Sequence, residues 1–298
     1  MRFCFFTSLL LLVAVNLYAQ SRDNMQWWND KHNWDGYTPW FNMMTTSAAY
    51  FGPNALPVPD IREGRVADAY KFEFRPEAHL SKGDQTYDFY TSLIIPLANV
   101  ASFEVFIVPF EYYKMDTLTR DERLVRSYNP VGHAGGDFWF GTNIQLVKDR
   151  AFPDLLFSAY FKTASGTNLD DARYTDAPAY YLMLNAGKTI WEQKERALKL
   201  RLFGSLGVYI WQTWNVHHSQ DDAIAYGLGL RLENKSFFSR LSFAGYSGYI
   251  NNGDRPNVLR FQLGTQHRTL NWIFKYQYGI TDFDYHTLSL ALVFSLKP

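Results

Sequence analysis

Residues 69–80 alternate without a break. Tyr70, Phe72, Phe74, Pro76, Ala78 and Leu80 occupy one parity, and Lys71, Glu73, Arg75, Glu77 and His79 occupy the other. Successive side chains of a β-strand point to opposite faces, so the stretch predicts a strand with one apolar and one ionisable face. Two environments accept such a strand. In a soluble sandwich the apolar row meets a core and the charged row meets water. In a transmembrane barrel the apolar row meets lipid and the charged row a polar lumen.

The number of copies decides between them. The alternation recurs roughly every nineteen residues, which suits short membrane-crossing strands plus their connections. Further strands are predicted near residues 87–97, 103–114, 137–147, 155–162, 180–188, 198–205, 224–233, 240–244, 259–266, 272–278 and 287–296. Ile224, Tyr226, Leu228, Leu230 and Leu232, for example, oppose Ala225, Gly227, Gly229, Arg231 and Glu233. With the first strand this makes about twelve, an even number as in bacterial single-chain barrels. A soluble barrel could not expose that many rows of Leu and Phe. The expected fold class is therefore all-β, a transmembrane antiparallel β-barrel with an irregular N-terminal segment.

Connection lengths agree with this reading. Those around Ala98, Arg150, Glu192, Asn234 and Arg268 are short, whereas 115–136, 164–177, 214–222 and 250–256 are longer. Alternating short turns and long loops are the asymmetry of outer-membrane barrels, with the long loops outside and the N-terminus in the periplasm.

Residues 20–68 lack the alternation. They crowd Trp27, Trp28, Trp34 and Trp40 into one stretch, and Pro53, Pro57 and Pro59 rule out a regular helix or central strand there. So many aromatics argue against disorder. Two placements are expected: a plug in the lumen, or an aromatic layer on the periplasmic rim. Ahead of this, Arg2, the apolar run 5–15 and Leu17-Tyr18-Ala19 before Gln20 predict a signal peptide over residues 1–19. The domains expected are thus 1–19, 20–68 and a barrel over 69–298.

Composition narrows the class. Aromatic residues make up 18% of the chain, and Lys+Arg 29 balance Asp+Glu 29, so bulk charge gives no case for nucleic-acid binding. The single cysteine, Cys4, lies in the predicted signal peptide, which leaves the mature chain without disulfides or thiol chemistry. No stretch after that peptide is long and apolar enough for a spanning helix, and alternate polar residues dilute a barrel's hydropathy in any case.

The secretory start ending Ala19-Gln20, the aromatic-rich alternating body and a last strand reaching Leu296 resemble Gram-negative outer-membrane β-barrels, most of all those of Bacteroidetes-type bacteria. Lys297-Pro298 after Leu296, in place of a terminal aromatic, departs from that pattern. The resemblance implies an outer-membrane location and contact with outer-membrane lipid and lipopolysaccharide, and it carries no characterised function.

Candidate chemistry lies first in the inward row. By parity Lys71, Arg75, Lys162, Lys199, Arg201, Arg231, Arg240, Arg260 and Lys275 face the lumen with Glu73, Glu77, Asp88, Asp137 and Glu233. A modest cationic excess favours anionic solutes, because a charged constriction selects by its field. The competing reading pairs these charges across strands in a filled lumen. The leading expectation is a channel or small-solute porin with weak anion preference, needing no cofactor.

A lipid hydrolase is the alternative. His79-Leu80-Ser81-Lys82-Gly83 resembles the His-x-Ser-Asn-Gly pattern of outer-membrane phospholipases, in which the imidazole takes the hydroxyl proton. Lys82 replaces the Asn, and parity turns His79 toward the lumen. His217-His218-Ser219 is a weaker match in a loop, and with Asp221 and Asp222 it is also a candidate transition-metal site. Asn168, Asp170, Asp171 and Asp176 are candidate Ca²⁺ ligands, although their spacing is not that of an EF-hand. A third expectation is a structural or assembly partner that docks through the Trp-rich segment.

Overall fold

The computed structural model describes residues 25–98, 100–149 and 151–297; the predicted signal peptide lies outside them. The strands are β1 (Tyr70–Leu80), β2 (Asp84–Leu97), β3 (Ala101–Met115), β4 (Val131–Ala134), β5 (Trp139–Val147), β6 (Asp154–Lys162) and β7 (Ala179–Gln193). They continue with β8 (Leu198–Gln212), β9 (Gln220–Glu233), β10 (Phe237–Ser247), β11 (Asn257–Thr265), β12 (Leu270–Thr281) and β13 (His286–Leu296). Each pairs antiparallel with its neighbours, and β1 pairs with both β2 and β13, closing the sheet into a barrel.

The barrel has twelve staves although thirteen strands are delimited. Two of them, β4 and β5, form a single stave. Glu111 opposes Ala134 and Phe106 opposes Trp139, so both pieces keep one register against β3. The ladder opens between them, where Gly135 and Gly136 lie on this stave and Pro109, which has no N–H to give, lies on β3. Gly136 still donates to the Val108 carbonyl at 2.8 Å, and the freed Asp137 turns inward to Lys162. The fourth strand predicted over 137–147 therefore lacks its outer third, which the sequence pattern leaves in a connection. That loop also holds a short helix, α2 (Thr117–Glu122), capped by Asp116 accepting from the Thr119 amide.

Outward parity positions are bare apolar side chains: Phe72 is 45% exposed, Leu228 58% and Leu290 46%. The inward face is aromatic and charged. One packed cluster joins Trp139, Tyr160, Tyr181, Tyr209, Trp211 and Tyr246 of the wall to Ala48, Leu56, Val58 and Ile61 of the N-terminal segment.

That segment runs through the lumen. At one end Ala49 donates to the Gly253 carbonyl and Gly52 to the Ala172 carbonyl, both in long connections. At the other end Arg65 pairs with Asp149 and Asp154, beside the short turn between β5 and β6. The chain therefore descends from the long-connection rim to the short-turn rim and then reverses into β1. This course lends no support to the expectation of a periplasmic N-terminus opposite outward long loops. Residues 44–56 lie at the same rim as those loops, because the apolar side chains of the segment fill the barrel rather than its short-turn end.

Proline explains why the segment is irregular and how it is held. Lacking N–H groups at Pro53, Pro57 and Pro59, it cannot pair as a strand, yet its buried carbonyls need donors. The wall supplies them from side chains. Arg260 donates to the Val58 and Pro59 carbonyls at 2.6 and 2.9 Å, and Tyr246 to Leu56 at 2.9 Å. Arg240 donates to Ile61, Arg201 to Glu63 at 2.7 Å, and the Trp211 indole to Thr46 at 3.0 Å. Gly64 makes the reversal at φ +81°, with Asp154 and Gly187 backbone packed where a Cβ would be.

Residues 25–37 form a separate small unit. Within it helix α1 (Gln26–His32) ends at Asn33 in the left-handed conformation, and Trp34 packs edge-on against Trp28 with centroids 6.4 Å apart.

Candidate lumenal site

Most of the inward cations are partnered, many of them by the threaded segment. Arg260 reaches Asp60 at 3.2 Å, and Arg231 and Arg240 face Glu63 at 3.3 and 3.7 Å. Arg62, on the segment, pairs with Glu104 at 2.7 Å, and that carboxylate also accepts from Tyr160 at 2.5 Å. The wall completes the balance. Arg75 bridges Glu73 and Glu77 at 2.6 and 3.0 Å, Lys275 joins Glu73 at 2.7 Å, and Arg201 joins Asp154 at 2.7 Å. Arg231 also meets Glu233 at 2.7 Å, and the buried Lys162 meets Asp137 at 2.8 Å.

Two residues of the inward row behave differently. Lys199 pairs with Glu192 at 3.2 Å, with both side chains more than 40% exposed at the short-turn rim. Lys71 lines an open vestibule of about 510 Å³ at the same end. The segment therefore leaves little uncompensated positive charge in the middle of the lumen. Charges withdrawn from water in this way are tolerable only when paired and hydrogen-bonded.

Two smaller spaces, about 120 Å³ each, lie beside the segment and share Asn54, Pro57, Asp60, Arg75 and Glu77. One is walled by Tyr90, Phe106, Trp139 and Tyr181, where Phe106 stacks on Trp139 at 5.5 Å and the Arg75 guanidinium lies 3.9 Å above Tyr90. The other is walled by His79, Arg260, Lys275 and Thr287.

Above these spaces a buried polar network joins the wall to the long connections. Asp84 accepts from Arg123 at 2.8 Å, Arg173 at 2.7 Å and Tyr285 at 2.6 Å; Arg173 also reaches Glu111 at 2.7 Å. Asn54 spans Asp88 and Glu111 at 2.6 and 2.9 Å, so it pins the segment to β2 and β3 together. Sequence reading missed this group. Arg123 and Arg173 lie in connections, and nothing in a loop's composition names a partner 39 or 89 positions away.

The hydrolase pair is not assembled. His79 is buried with Nδ1 2.8 Å from Thr287 Oγ1 and Nε2 3.0 Å from Asp88 Oδ2, while Ser81 donates to the Asp84 carbonyl at 3.0 Å. Imidazole and hydroxyl thus have separate partners, and an activated nucleophile needs them bonded to each other. The loop candidates have protein partners of their own. Asp171 accepts from Tyr113, Asn168 donates to Tyr113 at 3.0 Å, and burial with the neighbouring Asp171 holds the Asp170 carboxyl above its ordinary range. His217 and His218 give their amides to Asn215, and Asp221 accepts from the Tyr249 amide at 3.1 Å. Among the described residues, one group of three brings metal-binding atoms within 4.8 Å of one another: Glu77, His79 and Asp88.

No helix among the described residues is long and apolar enough to cross a membrane, which leaves the strands as the apolar-faced elements. No family model matches the chain. No curated protein matches it either. Solved structures do. The COG4313 outer membrane channel from Pseudomonas putida F1 superposes with a TM-score of 0.55 at 10% identity, covering 80% of this chain and 100% of that one. The KdgM porin in complex with disordered oligogalacturonate aligns at a TM-score of 0.47 and 9% identity, covering 76% and 99%. At such identities the likeness concerns the fold alone. This chain folds as a closed twelve-stranded antiparallel barrel of the outer-membrane type.

Proposed function

We propose that the protein is an outer-membrane channel for small solutes, closed by its own N-terminal segment. The observation that carries this reading is the way the segment is held. Its backbone carbonyls are gripped by side chains of the wall, among them Arg201, Arg240 and Arg260, and its apolar side chains pack on the wall's aromatics, so it fills the bore without being paired into the sheet as a strand. Outward Leu and Phe rows support a lipid-embedded location, in contact with outer-membrane lipid and lipopolysaccharide. The long connections then face outward, and residues 44–56 lie with them.

Anion preference belongs to the open state. With Asp60 and Glu63 in place, Arg231, Arg240 and Arg260 are compensated; with the segment withdrawn, Arg240 and Arg260 lose their carboxylates, Arg231 keeps only Glu233, and the bore favours anions. Planar-bilayer recording tests both statements. The full chain is expected to conduct rarely and briefly, and a chain lacking residues 21–66, Asp60 and Glu63 included, to conduct steadily with a reversal potential shifted toward anions. Neutralising Arg231, Arg240 and Arg260 in the shortened chain should abolish that shift. A shortened chain that folds and passes no current would refute the channel.

A further inference from the structure

We infer that Glu77, His79 and Asp88 form a binding site for a divalent transition metal of the Zn²⁺ class, built into the barrel wall beside the threaded segment. Register places it. Glu77 on β1 stands directly opposite Asp88 on β2, and Asp88 directly opposite Glu111 on β3. Three carboxylates thus lie side by side across the strands, an arrangement that destabilises a sheet unless cations lie among them.

The cations present do not serve the three equally. Arg75 donates to Glu77 from Nη2 at 3.1 Å with its Nε 3.0 Å from the other oxygen, and Arg173 takes Glu111. Asp88 has only His79 and the Asn54 amide, and both approach the same oxygen, Oδ2. Its Oδ1 is buried with no hydrogen-bond partner, on a side chain with 0% exposure. A buried carboxylate oxygen without a donor is costly, and a metal ion is one of the few groups able to occupy that corner.

His79 is oriented for the purpose. Thr287 Oγ1 lies 2.8 Å from Nδ1 and can accept a hydrogen bond from it, so that Nε2, on giving up its own proton as metal binds, presents its lone pair on the Asp88 side. A ligating imidazole tied at its other nitrogen is the usual outer-shell arrangement of metal sites. Two ligands of a tetrahedral zinc are about 3.3 Å apart given metal bonds of about 2.0–2.1 Å. Nε2 lies 3.0 Å from the Asp88 carboxylate, at Oδ2, close to that span, and the unpartnered Oδ1 of the same group is the oxygen left for the ion. Glu77 supplies the third ligand by releasing one oxygen from Arg75, and the adjoining cavity, walled by Glu77, His79 and Asn54, admits water as the fourth. A donor set of one imidazole and two carboxylates selects Zn²⁺ over Ca²⁺, which wants six to eight oxygens.

The test uses the full chain folded in detergent and stripped with chelator, in a His217→Ala, His218→Ala background that removes the adjacent loop histidines. Zn²⁺ is titrated against a fluorescent chelator. One Zn²⁺ per chain is expected, weakened at least tenfold by Asp88→Asn and by His79→Gln and less by Thr287→Val; an excess of Ca²⁺ should not compete. X-ray absorption at the zinc edge, recorded in the same background at one equivalent of Zn²⁺, should show one imidazole with oxygen neighbours, and needs no ligand variant to fold. Absence of stoichiometric binding, binding undiminished in both ligand variants, or a shell with several imidazoles would overturn the site. Stoichiometry is independent of conductance, so this result and the channel reading fail separately.

Discussion

At the scale of single residues the lumen depends on close approach. A Cβ on Gly187 would lie 2.1 Å from the Glu63 carbonyl oxygen, so Gly187→Ala must push the segment off the wall where Arg201 holds it. Overpacking of this kind costs about 1–3 kcal/mol, and urea unfolding of the variant should read a loss of that order. Arg260→Leu acts by removal. It strips the donors from the Val58 and Pro59 carbonyls, at about 1–3 kcal/mol for each buried group left unsatisfied. Hydrogen exchange should rise within residues 56–63 while protection in β7 to β9 is kept; protection lost evenly across the barrel would contradict a locally gripped segment. Little of this was legible in the sequence. Parity placed Arg201, Arg240 and Arg260 inside, but a hydrogen bond to a carbonyl leaves no signature in the identity of the residue that owns it.

Among elements, the strands were the readable part, because a period of two survives any register. The alternation located all twelve staves, and it failed where the period itself breaks. Val131-Gly132-His133-Ala134 is only four residues long and is separated from β5 by two glycines, so it was hidden in a connection. The threaded segment has no period at all. Its proline-rich composition excluded helix and strand but could not choose between lumen and rim, since that choice depends on the space the closed barrel leaves. The row Glu77, Asp88 and Glu111 was unreadable for a related reason: it exists only once three strands are set in register.

The long connection between β6 and β7 carries its own prediction. Burial and Asp171 raise the Asp170 carboxyl, so the folded loop binds that proton more tightly than the unfolded chain. Its stabilising contribution is present in acid and is lost as pH rises through the folded value. Asp170→Asn should therefore increase exchange protection of residues 168–174 near neutral pH and change little in acid.

For the whole molecule the decisive asymmetry lies between its two surfaces. If the outer face is solvated by lipid, Leu228→Arg, near the middle of an outward row, should lower folding free energy in bilayers by about 2–4 kcal/mol. Asp222→Arg, at the strand end beyond Ile224, should cost about 0–1 kcal/mol by the same depth dependence. Equal costs at the two positions would contradict a membrane belt across β9.

The seam between β1 and β13 has a consequence for assembly. The residues inside the ring come immediately before β1, one of the two edges that meet there. They reach the opposite rim, so they cannot arrive sideways through a finished wall. The hoop must either be drawn shut around a thread already laid along its axis, or the free end must be passed through the whole bore afterwards. The carbonyl grips favour the first order, since each wall arginine gains its partner as the circle narrows. On that order the last lateral bond of the ring is made around an occupied centre, and the molecule begins its working life shut.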